Sequence, residues 1–362
     1  MHSDVWRNIR ALRAVPTGQA STDVERWARF RAALRQSEEL ADAAAAAGYA
    51  SNSLPLFYSV EQAGLAVASA WLTDDAKLEK MTSHGIGFKL DRDALNILHG
   101  TVGGKNGTFA AVCAAVGSPD LTGRAELGAL WMANPDLCEV AIPVRYGQWR
   151  KPIQKVFGSR RPVDEMTSVP LDPNIQMTTT GGHVWLDASI PGVTVADIAR
   201  ETAHYPSLAD ATAMVQVFEG GVKGDIVARS GADAHGITFV PVGKPAPSQV
   251  TLTDYWRLED SLFSVVENYP DTPTTEPHVY KVGYALPAVG GGPAPAPLML
   301  WWALLLGLSS LVRYHPEQWT NAVDVDSSEL AVSLQRVLDI AMDRVPQRLY
   351  QALIGKANLS SQ

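Results

Sequence analysis

The sequence predicts an α+β chain, with a mainly helical domain formed by both chain ends and a β-rich region inserted between them. Three observations predict it. Residues 1–50 are rich in Ala, Arg, Glu and Leu, which are strong helix formers. Residues 138–286 hold short β-rich runs punctuated by Pro, Gly, Asp and Asn. Residues 298–312 (LMLWWALLLGLSSLV) carry no charge, and a helix that is apolar all round must be buried in a core or in lipid. Helices, then strands, then helices is the order of segregated elements, not of a doubly wound sheet.

Composition sets the frame for these elements. The chain has 362 residues, of which 46% are hydrophobic and 19% charged, as in an ordinary globular protein with a sizeable core. A net charge of −8 argues against general nucleic-acid binding, which would need a patch opposing the overall field. Two cysteines, Cys113 and Cys138, make no disulfide framework and read as buried small apolar residues. The start, MHSDVWRNIRALRAVPTG, lacks the apolar core of a signal peptide. A reducing, cytoplasmic setting is the expectation.

Taken in order, the spacing predicts a helix over Val24–Ala47, with Asp23 as its N-cap and Gly48 as its stop. Pro55 opens a second helix, in which Leu56, Val60, Ala63, Val67 and Trp71 recur at helical spacing. Proline suits a first turn because its missing N–H has no helical partner there. Residues 81–109 are glycine-rich and read as turns and loops around a short DRDALNIL run. TGRAELGALWMAN reads as another short helix. In the β-rich region the candidate strands are CEVAIPVRY, HVWLDASI, MVQVFEG, GDIVARS, GITFVPV and HVYKVGYAL, with a helix at VTVADIARETA. PAVGGGPAPAP has linker composition. A last helix spans about 327–354, capped by Ser327 or Ser328 with Glu329, and broken or kinked at Pro346.

The resulting division is 1–137, an N-terminal helical part; 138–286, the β-rich insertion; 287–297, a linker; and 298–362, a C-terminal helical part packing on the N-terminal part. The uncharged stretch 298–312 is shorter than the roughly 20 residues of a membrane span. Arg313 closes one end of it and the linker the other. Its cheapest partner is the equally apolar helix 56–72, so no membrane is expected.

Several segments together are similar to one known family. Leu54-Pro55-Leu56-Phe57-Tyr58-Ser59 leads into a long Ala-rich helix, and Ser83-His84-Gly85 and Lys105-Asn106-Gly107-Thr108-Phe109 follow in order. Leu308-Ser309-Ser310-Leu311-Val312-Arg313-Tyr314-His315-Pro316-Glu317-Gln318-Trp319 then precedes a helix containing Pro346. This series resembles the YaaC-like family over roughly residues 25–350, with departures at Ser59 and His315. The resemblance implies the fold and compartment above and no particular reaction. It also picks out Tyr58, His84, Lys105, Asn106, Arg313 and Tyr314 as polar residues that would share a ligand site if both chain ends pack together. An Arg directly after a buried helix can hold a carboxylate or phosphate bidentately, and it also complements the helix dipole.

Motifs for defined chemistry fail on their residues. Gly100-Thr101-Val102-Gly103-Gly104-Lys105-Asn106 has His99 where a phosphate loop needs its first Gly, and Asn106 where it needs Ser or Thr. It reads as a flexible glycine loop, with an anion seat from backbone N–H groups and Lys105 as the alternative. Gly85-Ile86-Gly87 lacks the third glycine of a dinucleotide fingerprint. No HExxH, CxxC or GxSxG occurs, so no metal or cofactor is expected. Asp324 and Asp326 read as helix caps.

Two function classes remain. The first is a binding or interaction protein that recognises a partner protein or a small anionic ligand; an oligomer is compatible with it. The second is a HEPN-like ribonuclease or toxin-type effector in phage defence, by fold-level analogy. It needs a helical Arg–His pair, for which Arg92 and His99 are the candidates. Arg229 and His235 have similar spacing but enclose Gly231 in β-rich sequence. Chance supplies about as many such pairs in a chain of this composition.

Overall fold

The computed structural model describes residues 2–91, 97–104, 106–137, 140, 142 and 279–354, and, as separate strands, 169–178, 181–188, 211–215, 218–219, 222–223, 237–241 and 263–268. The chain divides into two compact units, Met1–Pro152 with Val289–Gln362, and Ile153–Ala288. The first is mostly helical with a small three-stranded sheet; the second is built on strands.

In the first unit, helices α1 (His2–Ala14), α2 (Val24–Ala46), α3 (Ser53–Trp71) and α4 (Asp75–Glu79) come first. The Asp23 carboxylate accepts from the N–H groups of Arg26 and Glu25, at 3.0 and 2.9 Å, and so caps α2. Arg26, buried along α2, closes the end of α3. Its Nη1 donates to the carbonyls of Leu72 and Ser69 at 2.8 and 3.1 Å, and its Nη2 pairs with Asp75. These are carbonyls that a helix terminus leaves without internal partners. Ser59 is buried in α3. Its hydroxyl donates to the Ser37 carbonyl of α2 at 2.7 Å, which satisfies a polar group inside the core.

Short strands β1 (Gly87–Lys89), β2 (Thr101–Gly103) and β3 (Ala125–Glu126) form an antiparallel sheet in the order β1-β2-β3. Helix α5 (Gly107–Val116) follows β2, and α6 (Leu127–Ala133) follows β3. The stretch 81–109 is thus not all turn and loop, as its glycines suggested. Residues 101–103 are a strand, and the chain enters α5 at Gly107. Glycine here permits close backbone packing rather than flexibility. Gly85 has φ +77°, and a Cβ there would meet the Asn106 carbonyl oxygen at 1.5 Å. Cys113, on α5, is buried; Cys138 lies outside the described residues.

Helices α7 (Pro297–Tyr314), α8 (Pro316–Val323) and α9 (Ala331–Ile354) complete this unit. All residues from Pro297 to Leu311 are buried. They pack among α3, α6, α8, α9, β1 and β2. Burying one Leu of this kind contributes about 1.5–3 kcal/mol. Helix α7 is long and apolar enough to cross a membrane by length and composition, and 83% of it is buried inside the protein. Gly64 of α3 makes its approach to α7 possible, because a Cβ at that position would lie 2.1 Å from the Trp302 ring. The other face of that region is closed by Phe109, edge-on to Trp302 at 6.0 Å.

Three further expectations for this unit are corrected. The segment 289–297 is not a free spacer. Val289 and Gly292 form a β-bridge, Thr122 Oγ1 donates to the Gly290 carbonyl, and Ala296 N–H donates to Ser118 Oγ. Pro297 is the first residue of α7, where its fixed φ suits the helix. Pro346 does not break the last helix, which runs through it to Ile354. The proline removes one backbone donor, and the burial of Val345, Pro346 and Leu349 holds the helix across the gap. The start of α9 also falls later than expected, with Ser328 Oγ accepting from Leu330 N–H before it. Asp324 accepts from Ser327 Oγ and Asp326 N–H in the turn after α8.

The second unit contains β4 (Val169–Thr178), β5 (Gly181–Ala188), β6 (Ala211–Val215), β7 (Phe218–Glu219), β8 (Val222–Lys223), β9 (Ile237–Pro241), β10 (Phe263–Asn268) and β11 (Val279–Ala285). Six of them form an antiparallel sheet in the order β10-β11-β4-β5-β9-β6, and β7 pairs with β8. HVWLDASI, MVQVFEG, GITFVPV and HVYKVGYAL all carry strands. The expected strands CEVAIPVRY (apart from residues 140 and 142) and GDIVARS, and the expected helix VTVADIARETA, lie outside the described residues.

Candidate functional site

The site is built where α3, the loop before β1 and the end of α7 meet. Ser83 and His84 approach the start of α5, and their carbonyls accept from Thr108 and Phe109 N–H at 2.9 and 3.2 Å. This fixes the backbone of His84 and occupies two N–H groups of the first turn of α5. Those two groups are therefore not open to an anion. Asn106, exposed at the N-cap of α5, makes no side-chain cap. Lys105 lies outside the described residues.

The His84 ring faces α3. Its Nδ1 pairs with Glu61 Oε1. Phe57, fully buried on α3, meets the ring edge-on at 5.3 Å. Tyr58 stands three residues before Glu61 on the same helix face, and its ring centroid lies 6.2 Å from that of His84. From the other side, Arg313 follows the buried run of α7. Its Nη1 donates to Tyr58 OH across a long 3.4 Å, and its Nη2 donates to Tyr314 OH. The guanidinium also lies over the Tyr314 ring, 4.7 Å from the centroid. Glu61 with His84, and Tyr58 with Arg313 and Tyr314, thus form two polar sets that meet where the His84 and Tyr58 rings approach each other.

Among the described residues, no carboxylate lies within ion-pair distance of Arg313, and His84 Nε2 has no hydrogen-bond partner. Each phenol that accepts from the guanidinium keeps its own O–H to donate. The arrangement therefore offers a cation and two hydroxyl donors to an incoming acceptor. Next to it, His84 Nε2 is aimed by a carboxylate on the far side of the ring.

The structure brings together four of the six residues picked out in the sequence: Tyr58, His84, Arg313 and Tyr314. Sequence reasoning missed Glu61, although it is the one charged residue in an otherwise uncharged α3, which was the available signal. His315 lies beside the site, edge-on to Phe88 at 6.3 Å. His99 sits elsewhere, in a single 3₁₀ turn (Ile97–His99), with Nδ1 3.5 Å from Glu126. Arg92 lies outside the described residues, as do Arg229 and His235. Among the described residues no group of three His, Cys, Asp or Glu side chains gathers as a metal site.

Among the described residues, fold and site together define a mostly helical protein that presents an arginine between two tyrosines, with no acid paired to it, at the end of a buried helix. Residues 247–353 match the family model described as YaaC-like Protein, and the match supports a YaaC-like protein. The matched segment takes in α7 and α8 whole and nearly all of α9, so it includes Arg313 and Tyr314. No curated protein and no solved structure matches the chain.

Proposed function

We propose that this YaaC-like protein is a binding protein that recognises a small anionic ligand, seated on Arg313 with Tyr58 and Tyr314. One observation carries the reading: the Arg313 charge is held in place by two phenol oxygens and, among the described residues, is not neutralised by a carboxylate. An acid would compensate the charge of this arginine, whereas the two neutral phenols hold the guanidinium and leave its charge uncompensated. Holding the side chain between two hydroxyls lowers the ordering cost of binding, and the planar guanidinium suits a carboxylate or phosphate. No comparable observation favours the ribonuclease reading, since His99 occupies a 3₁₀ turn and not a long helix.

The test is a thermal-shift titration with n-propyl phosphate, because a ligand that binds the native state raises its melting temperature. The wild-type transition is expected to rise with ligand concentration, and that of Arg313→Ala to stay flat. A wild-type transition that does not move, or an equal rise in Arg313→Ala, would overturn the reading.

A further inference from the structure

The anion seat uses only half of the cluster. The other half, Glu61 with His84, lies against the same Tyr58 side chain and is assembled with more restraint than a surface ion pair needs. Exposed pairs of this kind contribute little to stability. Here the Glu61 side chain is only 14% exposed, whereas His84 is 36% exposed. The ring is held by the carboxylate, by the Phe57 edge at 5.3 Å and by a backbone carbonyl tied to Phe109 N–H at 3.2 Å. A carboxylate oxygen only accepts, so it places a proton on Nδ1. In the neutral ring this leaves the Nε2 lone pair as a hydrogen-bond acceptor. The result is one acceptor in a fixed direction, beside a site whose other groups all donate.

We propose that the ligand is a compact hydroxylated anion, whose charged group sits on Arg313 and whose hydroxyl donates to His84 Nε2. Tyr58 forms the wall between the two halves, with its ring 6.2 Å from His84 and its oxygen 3.4 Å from Arg313 Nη1. Glu61 is a positioning residue that acts through the histidine tautomer. The inference rests on the anion-seat reading and adds a second contact to it. The ligand class it defines is that of small polyol phosphates and hydroxy acids, as opposed to bare phosphates or alkyl phosphates. A donor–acceptor set of this kind favours a ligand carrying the hydroxyl over an analogue that lacks it, because the analogue makes one hydrogen bond fewer.

The experiment compares glycerol 3-phosphate with n-propyl phosphate by isothermal titration on the full chain. Wild type should bind glycerol 3-phosphate roughly tenfold more tightly, as one well-placed hydrogen bond would give. In His84→Ala that preference should vanish while n-propyl phosphate affinity changes by less than about threefold. Glu61→Gln, which keeps the side-chain shape, should reduce the preference without abolishing n-propyl phosphate binding. Equal affinities in wild type, or a preference unchanged in His84→Ala, would overturn the proposal while leaving the anion seat intact. If neither phosphate binds wild type, the anion seat falls and the hydroxyl contact falls with it.

Discussion

Arg348 is buried and Arg313 is exposed in the same helical unit. The Arg348 side chain is 5% exposed and its partner Asp136 is 3% exposed. Nη2 and Nε of Arg348 both donate to the Asp136 carboxylate, which also accepts from Trp301 Nε1 at 2.8 Å. The remaining Nη1 donates to Gln351 Oε1. Every charge there is paired, so the group serves to lock α9 against the turn after α6 and against α7. Arg313 lies at the surface, holds two phenols and has no acid beside it among the described residues. The difference between them is that Arg348 has its charge matched inside the core, while Arg313, among the described residues, is held by neutral hydroxyls and keeps its charge uncompensated.

The largest expected effect is at the buried end. Asp136→Ala leaves the Arg348 charge in the core without its carboxylate, and removing one partner of a buried pair costs about 3–5 kcal/mol. Urea denaturation should show this as a lower midpoint. Arg313→Ala should stay within about 0.5 kcal/mol of wild type, as exposed substitutions do. Equal losses in the two variants would erase the distinction drawn above. Next in size is Gly64→Ala, which drives a methyl group into Trp302 and forces α3 away from α7. Overpacking of this kind costs about 1–3 kcal/mol. Because Tyr58 and Arg313 stand on those two helices, n-propyl phosphate affinity should fall as well. An unchanged midpoint would mean that the helices do not need the glycine contact.

The smallest effect concerns Asp23, an exposed carboxylate whose work is local. Hydrogen bonds from the Arg26 and Glu25 N–H groups, the Arg26 one foremost, hold its pKa below the usual carboxylate value. A lowered folded-state pKa means stability that is present above the unfolded value of about 3.9 and is lost as pH falls through the folded value. Asp23→Ala should therefore melt below wild type at neutral pH. The gap should close as the solution is acidified below about pH 4. A gap independent of pH would place the cap's contribution in packing, not charge.

Legibility in the sequence followed the strength of the local pattern. Helix α2 and its Asp23 cap, α3 with Pro55 in its first turn, and α7 were readable because their spacing and composition have one reading. Helix α5 was not, because GTFAAVCAAV is short, apolar and preceded by glycines that look like loop. Strand β4 was missed because Pro170 and Pro173 argue against a strand inside a sheet, yet it pairs with β11 and β5. At the site, Tyr58, His84, Arg313 and Tyr314 were marked by the family resemblance. Glu61 was passed over because a lone acid on an apolar helix has no visible partner until the loop carrying His84 folds onto it.

What the sequence determined by itself is which segments form helices and which of them must be hidden from water. Helical spacing and the absence of charge are properties of neighbouring residues, and so is the capping of a helix by the residue before it. The tertiary structure alone decided which charges are neutralised. Asp136 and Arg348 are 212 residues apart, and Tyr58 and Arg313 are 255 apart. Whether an arginine is paired depends on distance and on how much water surrounds it. Both are set by how α3, α7 and α9 pack, and no local stretch of sequence contains them.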